Sequence, residues 1–546
     1  MLKNICTKER TLIIAIFIIF IFLRIFSDSP YYFIQGSDHA RYLELANNFP
    51  YHTLYNNQLY LAHLPLFPYV IHVFTWFFQD HIAGIIVSLL SAIITFFIIY
   101  KLVTLLTKER YIAIGVLVLY SLSQIHIGSA INVMKESLLV MLTLASIYFY
   151  ILYLKQSNKI DLWLSAISGF LLGITTDFVI LLILGLIAIL FIYGKESYRL
   201  KAYIPIVSTI ISYFLWVFIR LYTYSTYKFY PASWDGTIVK VSEFGIMSLI
   251  STNNFREIAT YLPNALPLGI SFDFFHYVYP MIYMLTLVIA PWPSGLRFSD
   301  MTILFSMKYL LQLVVYTLLS IGGIYGLYKI GKQILAKRIK KNGMLLVLIL
   351  FVIFLLPLMQ EVTSMRFQVQ AIIFLFIIIN YGFFQLAKTF KFLRLFKVFI
   401  AVIILILILY LPFYYLENNN FVLSQEKVVE ATKTAKFINQ LPGEGVMAQI
   451  GYNQELAYLT NKRVMALPIH PDYMFLIDMY NISYLIYGGF YMKPFSEENK
   501  DKVITYYTIK HIREHPEKFK LLEVMEEYYL PKDKTDHIYI YEVIKN

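Results

Sequence analysis

Three short clusters hold residue types able to do chemistry. Asp38, in Gly36-Ser37-Asp38-His39-Ala40-Arg41-Tyr42, is a carboxylate set just beyond the first hydrophobic segment. Ser37 is a fitting N-cap, and the pattern behind it puts Tyr42, Leu45, Ala46 and Phe49 on one helical face, with Arg41, Glu44 and Asn48 on others. In a first turn the helix dipole favours an ionised Asp38, able to accept a proton or a cation. The plainer role for it is to support the start of an interfacial helix. The second cluster is Lys135-Glu136, after Asn132-Val133-Met134 and at the head of an apolar run. Two charges entering an apolar helix are costly unless they face a polar cavity, which makes the pair a candidate site. The alternative is a snorkelling lysine beside a capping glutamate. Successive helical side chains point about 100° apart, so the two do not satisfy each other. Third is Glu361-Val362-Thr363-Ser364-Met365-Arg366, where Arg366 could hold a phosphate by charge and bidentate geometry, or pair with Glu361.

The elements that must position these clusters are set by composition. With 59% hydrophobic and only 15% charged residues over 546 positions, and a mean hydropathy of +0.63, the chain is an α-helical polytopic membrane protein. From Phe421 to Asn546 there are 15 Lys and Arg against 17 Asp and Glu, which leaves 31 and 17 in the preceding part. That basic surplus lies in short loops between apolar runs, where it orients helices, so nucleic acid is not an expected partner. The single cysteine, Cys6, excludes an internal disulfide and cysteine-rich metal sites. Lys3, Lys8 and Arg10 before an apolar stretch resemble a secretory signal, but Ser27-Asp28-Ser29-Pro30 is a poor cleavage site, so an uncleaved anchor is expected.

Eleven apolar runs are long enough to predict spans: about 11 to 27, 82 to 106, 111 to 127, 134 to 154, 160 to 176, 178 to 193, 202 to 221, 303 to 328, 344 to 360, 368 to 387 and 396 to 415. Basic clusters fall in alternate loops, at the N-terminus, Lys108/Arg110, Lys155/Lys159, Lys195/Arg199/Lys201, Lys329 to Lys341 and Lys388/Lys391/Arg394. All lie on the cytoplasmic side of a plasma (inner) membrane if the N-terminus does. Leu66 to Phe78 suits an interfacial helix, and Tyr277 to Ile289 a re-entrant or surface-lying element. The transmembrane domain is thus predicted over residues 1–415, with outer loops 28–80 and 222–302. Residues 416–546 are predicted as an extracytoplasmic α/β domain, with strands near Val446 to Ile450, Arg463 to Leu467, Ile482 to Tyr487, Leu521 to Met525 and His537 to Val543.

His39, His52, His63, His72, His81 and His126 fall in or near the predicted outer half, yet none of these six pairs at a tight ligand spacing. Interfacial or hydrogen-bonded roles are expected for most of them. No Walker sequence, dinucleotide fingerprint or nucleophile elbow occurs, which disfavours a nucleotide-driven pump and a serine hydrolase. Chemistry on an already activated substrate is what remains.

In order and sidedness the clusters resemble the membrane glycosyltransferases of the GT-C fold, in the branch of the protein O-mannosyltransferases and aminoarabinose-lipid A transferases. Asp38 to Ala46 matches that family's D-x-x-x-Y-x-x-x-A pattern, and His63-Leu64-Pro65-Leu66-Phe67-Pro68 is similar to its H-P-P-L-Y-P segment. Glu136 falls where the family places a second acid, Ser364 to Gln368 is similar to its R-Y-x-x-P region, and Gln454 to Arg463 resembles P-E-L-A-Y-L-T-G-R. The chain departs from the pattern at Thr176-Asp177, where a basic residue is common, at the single Pro65, and at Phe367 in place of tyrosine.

The resemblance implies transfer of a sugar from a polyprenyl-phosphate donor to a lipid, glycan or protein acceptor on the outer face, with inversion at the anomeric carbon. Asp38 is then the general base and Glu136 the second catalytic acid, orienting acceptor or cationic partners. Arg366, Lys135 and Arg41 would stabilise the leaving phosphate, with His39, Tyr42 and His63 beside the substrate. This scheme requires no metal or other cofactor. A metal-dependent relative would instead hold a divalent ion between Asp38 and Glu136. A transporter or flippase, or a non-catalytic assembly subunit for lipid-linked glycans, are the competing readings; the charges concentrated at one face and the lack of a repeat weigh against a transporter.

Overall fold

The computed structural model describes residues 2–26, 37–50, 53–54, 58–59, 64–176, 179–194, 200–226, 229–231, 238–240, 307–336, 342–355, 369–389, 432–443, 445–448, 456, 459–466, 477–478, 481–487, 506–526 and 537–544. Its helices in chain order are α1 (Leu2–Phe26), α2 (Ser37–Asn47), α3 (Leu66–Thr75), α4 (Asp80–Thr107), α5 (Arg110–Leu122), α6 (Gln124–Ile131), α7 (Glu136–Gln156), α8 (Lys159–Gly173), α9 (Val179–Tyr193), α10 (Ile204–Thr226), α11 (Met307–Leu335), α12 (Gly343–Leu355), α13 (Val369–Thr389) and α14 (Tyr506–Glu514). Two compact units share them. The first comprises Met1–Ser29, Ile85–Val217 and Ala259–Glu417, and the second Pro30–Gly84, Phe218–Ile258 and Asn418–Asn546.

The first unit is a helical bundle. Ten of the eleven predicted apolar runs coincide with its helices, and the eleventh, 396 to 415, lies outside the described residues, as does Tyr277 to Ile289. Among the described residues, α4, α7 and α13 are long and apolar enough to cross a membrane, or four spans if the bent pair α5–α6 counts as one. Helices α9 and α12, with 15 and 13 residues, reach only about 20 Å at 1.5 Å per residue, against a hydrocarbon core of about 30 Å. They are apolar on nearly every face because neighbouring helices and lipid, not water, surround them.

Inside the bundle small residues set the approach of the helices. Gly322 and Gly326, one turn apart on α11, meet Gly382 of α13; a Cβ on Gly382 would strike the Gly322 carbonyl and the Gly326 amide. Backbone contact of this kind is how membrane helices gain dispersion energy without a hydrophobic drive between them. Around it, Phe374 and Phe376 of α13 and Phe354 of α12 are fully buried, with Phe354 and Phe374 stacked at 5.7 Å.

One predicted span differs. The run 111 to 127 reads as one continuous helix, but the chain is extended at Ser123 (φ −69°, ψ 113°) and α5 and α6 diverge by 62°. Arg24 of α1 explains how a break is tolerated here. Its guanidinium is buried (3% exposed), lies 3.7 Å over the Phe20 ring, and donates to the carbonyls of Ser121 (3.3 Å) and Tyr120 (3.4 Å). Those are carbonyls of the last turn of α5, which the helix itself leaves without partners, and a cation there also meets the negative end of the helix dipole. On the far side of the break, His126 Nε2 donates to the Val369 carbonyl (3.1 Å) while Nδ1 accepts from the Ser123 hydroxyl (2.8 Å).

In the second unit two short ribbons pair β1 (Thr53–Leu54) with β2 (Gln58–Leu59) and β3 (Phe229–Pro231) with β4 (Ile238–Lys240). A five-stranded mixed sheet follows, built from β5 (Gly445–Ala448), β6 (Arg463–Ala466), β7 (Ile482–Tyr487), β8 (Phe519–Glu526) and β9 (His537–Val543) in the order β6-β5-β7-β9-β8. Strand β5 runs parallel to β6 and β7, and β9 antiparallel to β7 and β8. Alternation sorts its side chains by face. Met447, Leu485, Tyr487, Tyr541 and Val543 pack with Ile509 and Ile512 of α14, while Val446, Ala448, Tyr484, Ile486, Ile538 and Ile540 pack with Ala435 and Ile438 of the helical residues 432–440. The predicted helix Gln454 to Leu459 falls largely outside the described residues.

Candidate functional site

Helix α2 begins at Ser37, which puts Asp38 within its first turn. The side chain of Asp38 lies outside the described residues, as do His63 and Arg366. What fixes α2 is visible. His39, Tyr42, Leu43 and Ala46 form a buried stripe at helical spacing, joined by Leu45. The Tyr42 ring, 2% exposed, meets Phe67 of α3 edge-on at 5.0 Å. At the other end of α2 the Ala46 carbonyl accepts from His72 Nδ1 at 2.8 Å, and Asn47 Nδ2 donates to Asp80 Oδ2 at 3.1 Å. Phe49 departs from the predicted apolar face: it is 40% exposed and stacks on the His72 ring at 4.4 Å. Arg41, half-buried, lies outside the buried stripe.

These contacts give the candidate residues of α2 distinct positions. His39 and Tyr42 are packed into the unit, whereas Asp38 and Arg41 stand at its first turn and flank. Helix α3 buries Phe67, Pro68 and Ile71 under α2 and leaves Val73, Trp76, Phe77 and Phe78 exposed at and beyond its end. An aromatic cluster that combines apolar area with a polar indole edge is suited to a membrane interface.

The second cluster is built by the broken span. After α6 the chain passes through Asn132 in an extended conformation, and the Ser88 hydroxyl of α4 donates to the Met134 carbonyl at 3.2 Å. Lys135 then occupies the N-cap position of α7 with helical dihedrals and no side-chain cap, and its carbonyl accepts from the Leu139 amide at 2.9 Å. Glu136 is the first residue of α7 and is 4% exposed, followed by buried Ser137, Leu138, Leu139 and Val140. A carboxylate at a helix N-terminus is favoured by the free amides and dipole there, which offsets part of the cost of burial. Lys135 is half-buried.

Two features escaped the sequence reading. Arg24 was legible as a charge within the first apolar run, the ordinary sign of a residue with a polar task inside a membrane. His511 of α14 and His515, just past the end of that helix, have ring centroids 4.3 Å apart; His515 Nδ1 lies 2.8 Å from Glu517 Oε1. Burial holds the His511 imidazole below its ordinary pKa, with the His515 charge acting the same way. Among the described residues no group of three or more His, Cys, Asp or Glu assembles at a metal-holding geometry.

The sequence model of the family described as Dolichyl-phosphate-mannose-protein mannosyltransferase matches residues 62–222, a stretch that contains Lys135 and Glu136 but not Asp38. No curated protein is matched by sequence. Solved structures do match. The chain superposes on the oligosaccharyltransferase of Archaeoglobus fulgidus with a TM-score of 0.53 at 12% identity, over 88% of this chain and 69% of that one. ArnT from Cupriavidus metallidurans in the apo state gives 0.51 at 12% identity over 98% of both chains. The same protein bound to undecaprenyl phosphate gives 0.52 at 11% identity over 97% of both. At such identities the likeness is one of architecture: the chain has the fold of the GT-C glycosyltransferases that its motifs resemble.

Proposed function

We propose that this chain, with its GT-C fold, is an integral membrane glycosyltransferase that moves a sugar from a polyprenyl-phosphate donor to a lipid, glycan or protein acceptor on the extracytoplasmic face. The observation that supports it most is the superposition on ArnT over 98% of both chains, with the undecaprenyl-phosphate complex of that protein matching equally well. In this reading the chain crosses the membrane about eleven times with its N-terminus in the cytoplasm, and α2 and the five-stranded sheet lie outside.

In this reaction an acceptor hydroxyl attacks the anomeric carbon while the carbon–oxygen bond to the donor phosphate breaks, which inverts the centre. Asp38 takes the hydroxyl proton, and the electron pair of the broken bond leaves on the polyprenyl phosphate. The leaving group gains negative charge as it departs, so cations fixed in advance lower the barrier. Arg41 on α2, Lys135 at the head of α7 and Arg366 are assigned that work. Glu136 orients the acceptor or those cations. His39 and Tyr42 hold α2 in place beneath Asp38, and His63 borders the substrate.

A deletion strain tests the reading. Loss of one envelope glycan or glycoprotein modification, with accumulation of its polyprenyl-phosphate sugar, is the expected profile. An unchanged glycan and lipid-linked sugar profile would refute it, and a lipid-linked sugar held on the inner leaflet would instead identify a flippase.

A further inference from the structure

At the end of the bundle away from Glu136, basic residues from four helices converge on a cavity of about 560 Å³. Arg10 comes from α1, Lys101 from near the end of α4, Lys108 from the turn that follows it, Arg110 from the start of α5 and Lys155 from the last turn of α7. Lys155 lies 19 residues from Glu136 along α7, roughly 28 Å at 1.5 Å per residue, so this place is separate from the proposed transfer site. Against five cations the lining has one carboxylate, Glu9, which receives Arg110 Nη1 at 2.9 Å. The Lys155 ammonium donates to the Leu105 carbonyl at 3.2 Å, which holds it at the cavity wall.

The surface beside the cavity says what kind of anion belongs there. On α1, Ile14 (57% exposed) and Ile18 (61%) continue the helical stripe that starts at Arg10; on α4, Phe97 (50%), Ile94 and Leu90 continue the stripe that ends at Lys101. The two helices are in contact through Phe17, which meets Phe96 and Phe97 at 5.4 Å each. Exposed apolar residues on each of the two helices thus lead to a cation at the mouth of the cavity. That division, chains on the stripes and a phosphate in the pocket, is the shape of a phospholipid.

We infer that this cavity binds the phosphate headgroup of an anionic phospholipid, whose acyl chains lie along α1 and α4. The volume suits a headgroup, and a net excess of cations selects for negative over zwitterionic lipid. The lipid is a bound structural partner, independent of the sugar-transfer reading, and its assay reads binding, not activity.

Native mass spectrometry of the detergent-purified full chain, titrated with dioleoylphosphatidylglycerol, dioleoylphosphatidylcholine or inorganic phosphate, tests it. The wild-type protein should retain phosphatidylglycerol in preference to phosphatidylcholine. Neutralising one cation should weaken that binding about fivefold, and the pair Arg10→Gln with Lys101→Gln about 25-fold. Lys332→Gln with Lys388→Gln, exposed cations on α11 and α13, should leave it unchanged. Should the double variant fail to fold, Lys101→Gln alone still carries the fivefold prediction. Equal retention of phosphatidylcholine, equal weakening by the α11/α13 pair, or displacement of the lipid by an equal concentration of inorganic phosphate would each overturn the assignment.

Discussion

Glu136 and Arg24 are both buried charges at helix ends, yet they are placed for different work. Glu136 is the buried first residue of α7, beside a half-buried lysine, where the helix dipole favours negative charge. Glu136→Gln keeps the shape and removes the charge, so transfer should fall by at least about tenfold while the melting temperature of the purified protein holds. A fall in melting temperature with unchanged turnover would make Glu136 a capping residue only. Arg24 Nη1 donates to the carbonyls of Phe20 and Ser121, and Nη2 to that of Tyr120. Arg24→Met would strand carbonyls of the last turn of α5 at about 1–3 kcal/mol for each one left buried, and thermal melting in detergent should report the loss. The residue scale was only partly legible in the sequence. Asp38 and Glu136 stood out as isolated acids at the ends of apolar runs, but an arginine at the end of the first run reads equally well as a flank, and only its three carbonyl partners reveal its role.

Periodicity served best for elements whose two faces meet different surroundings. The burial of Tyr42, Leu45 and Ala46 on one side of α2 follows from spacing, though His39 joins that side and Phe49 leaves it, and the strands β5, β7 and β9 were legible because each face has its own layer of helix to cover. It served worst where the surroundings are apolar on all sides. Nothing in Tyr120-Ser121-Leu122-Ser123-Gln124 marks a 62° bend, since serine is common in membrane helices and the break depends on Arg24 and Val369, far away in sequence. Close helix approach was equally hidden. The contact of Gly322 and Gly326 with Gly382 requires two helices to meet at one register, and a lone glycine on α13 predicts no partner. Gly382→Val should cost about 1–3 kcal/mol through forced separation of α11 and α13, and lower the detergent melting temperature accordingly. Gly331→Ala, where added bulk meets nothing within 4 Å, is the control and should melt like the wild type.

For the molecule as a whole, the bundle and the sheet-bearing unit are each held by their own core, a division of labour expected when one part is solvated by lipid and the other by water. The chemistry proposed needs cations to meet the leaving phosphate and a carboxylate to take a proton, both already present in the chain. If Asp38 and Glu136 act without a bridging ion, sugar transfer by the purified protein should be unchanged by exhaustive chelation with EDTA; loss of activity restored by a divalent metal would assign them as ligands instead. The whole account rests on the carboxylate at position 38 acting as a base, and the purified protein in proteoliposomes measures that directly. With a labelled polyprenyl-phosphate sugar and a membrane acceptor, Asp38→Asn should insert and melt like the wild type yet transfer sugar at least about a hundredfold more slowly. Full transfer by Asp38→Asn would contradict the account.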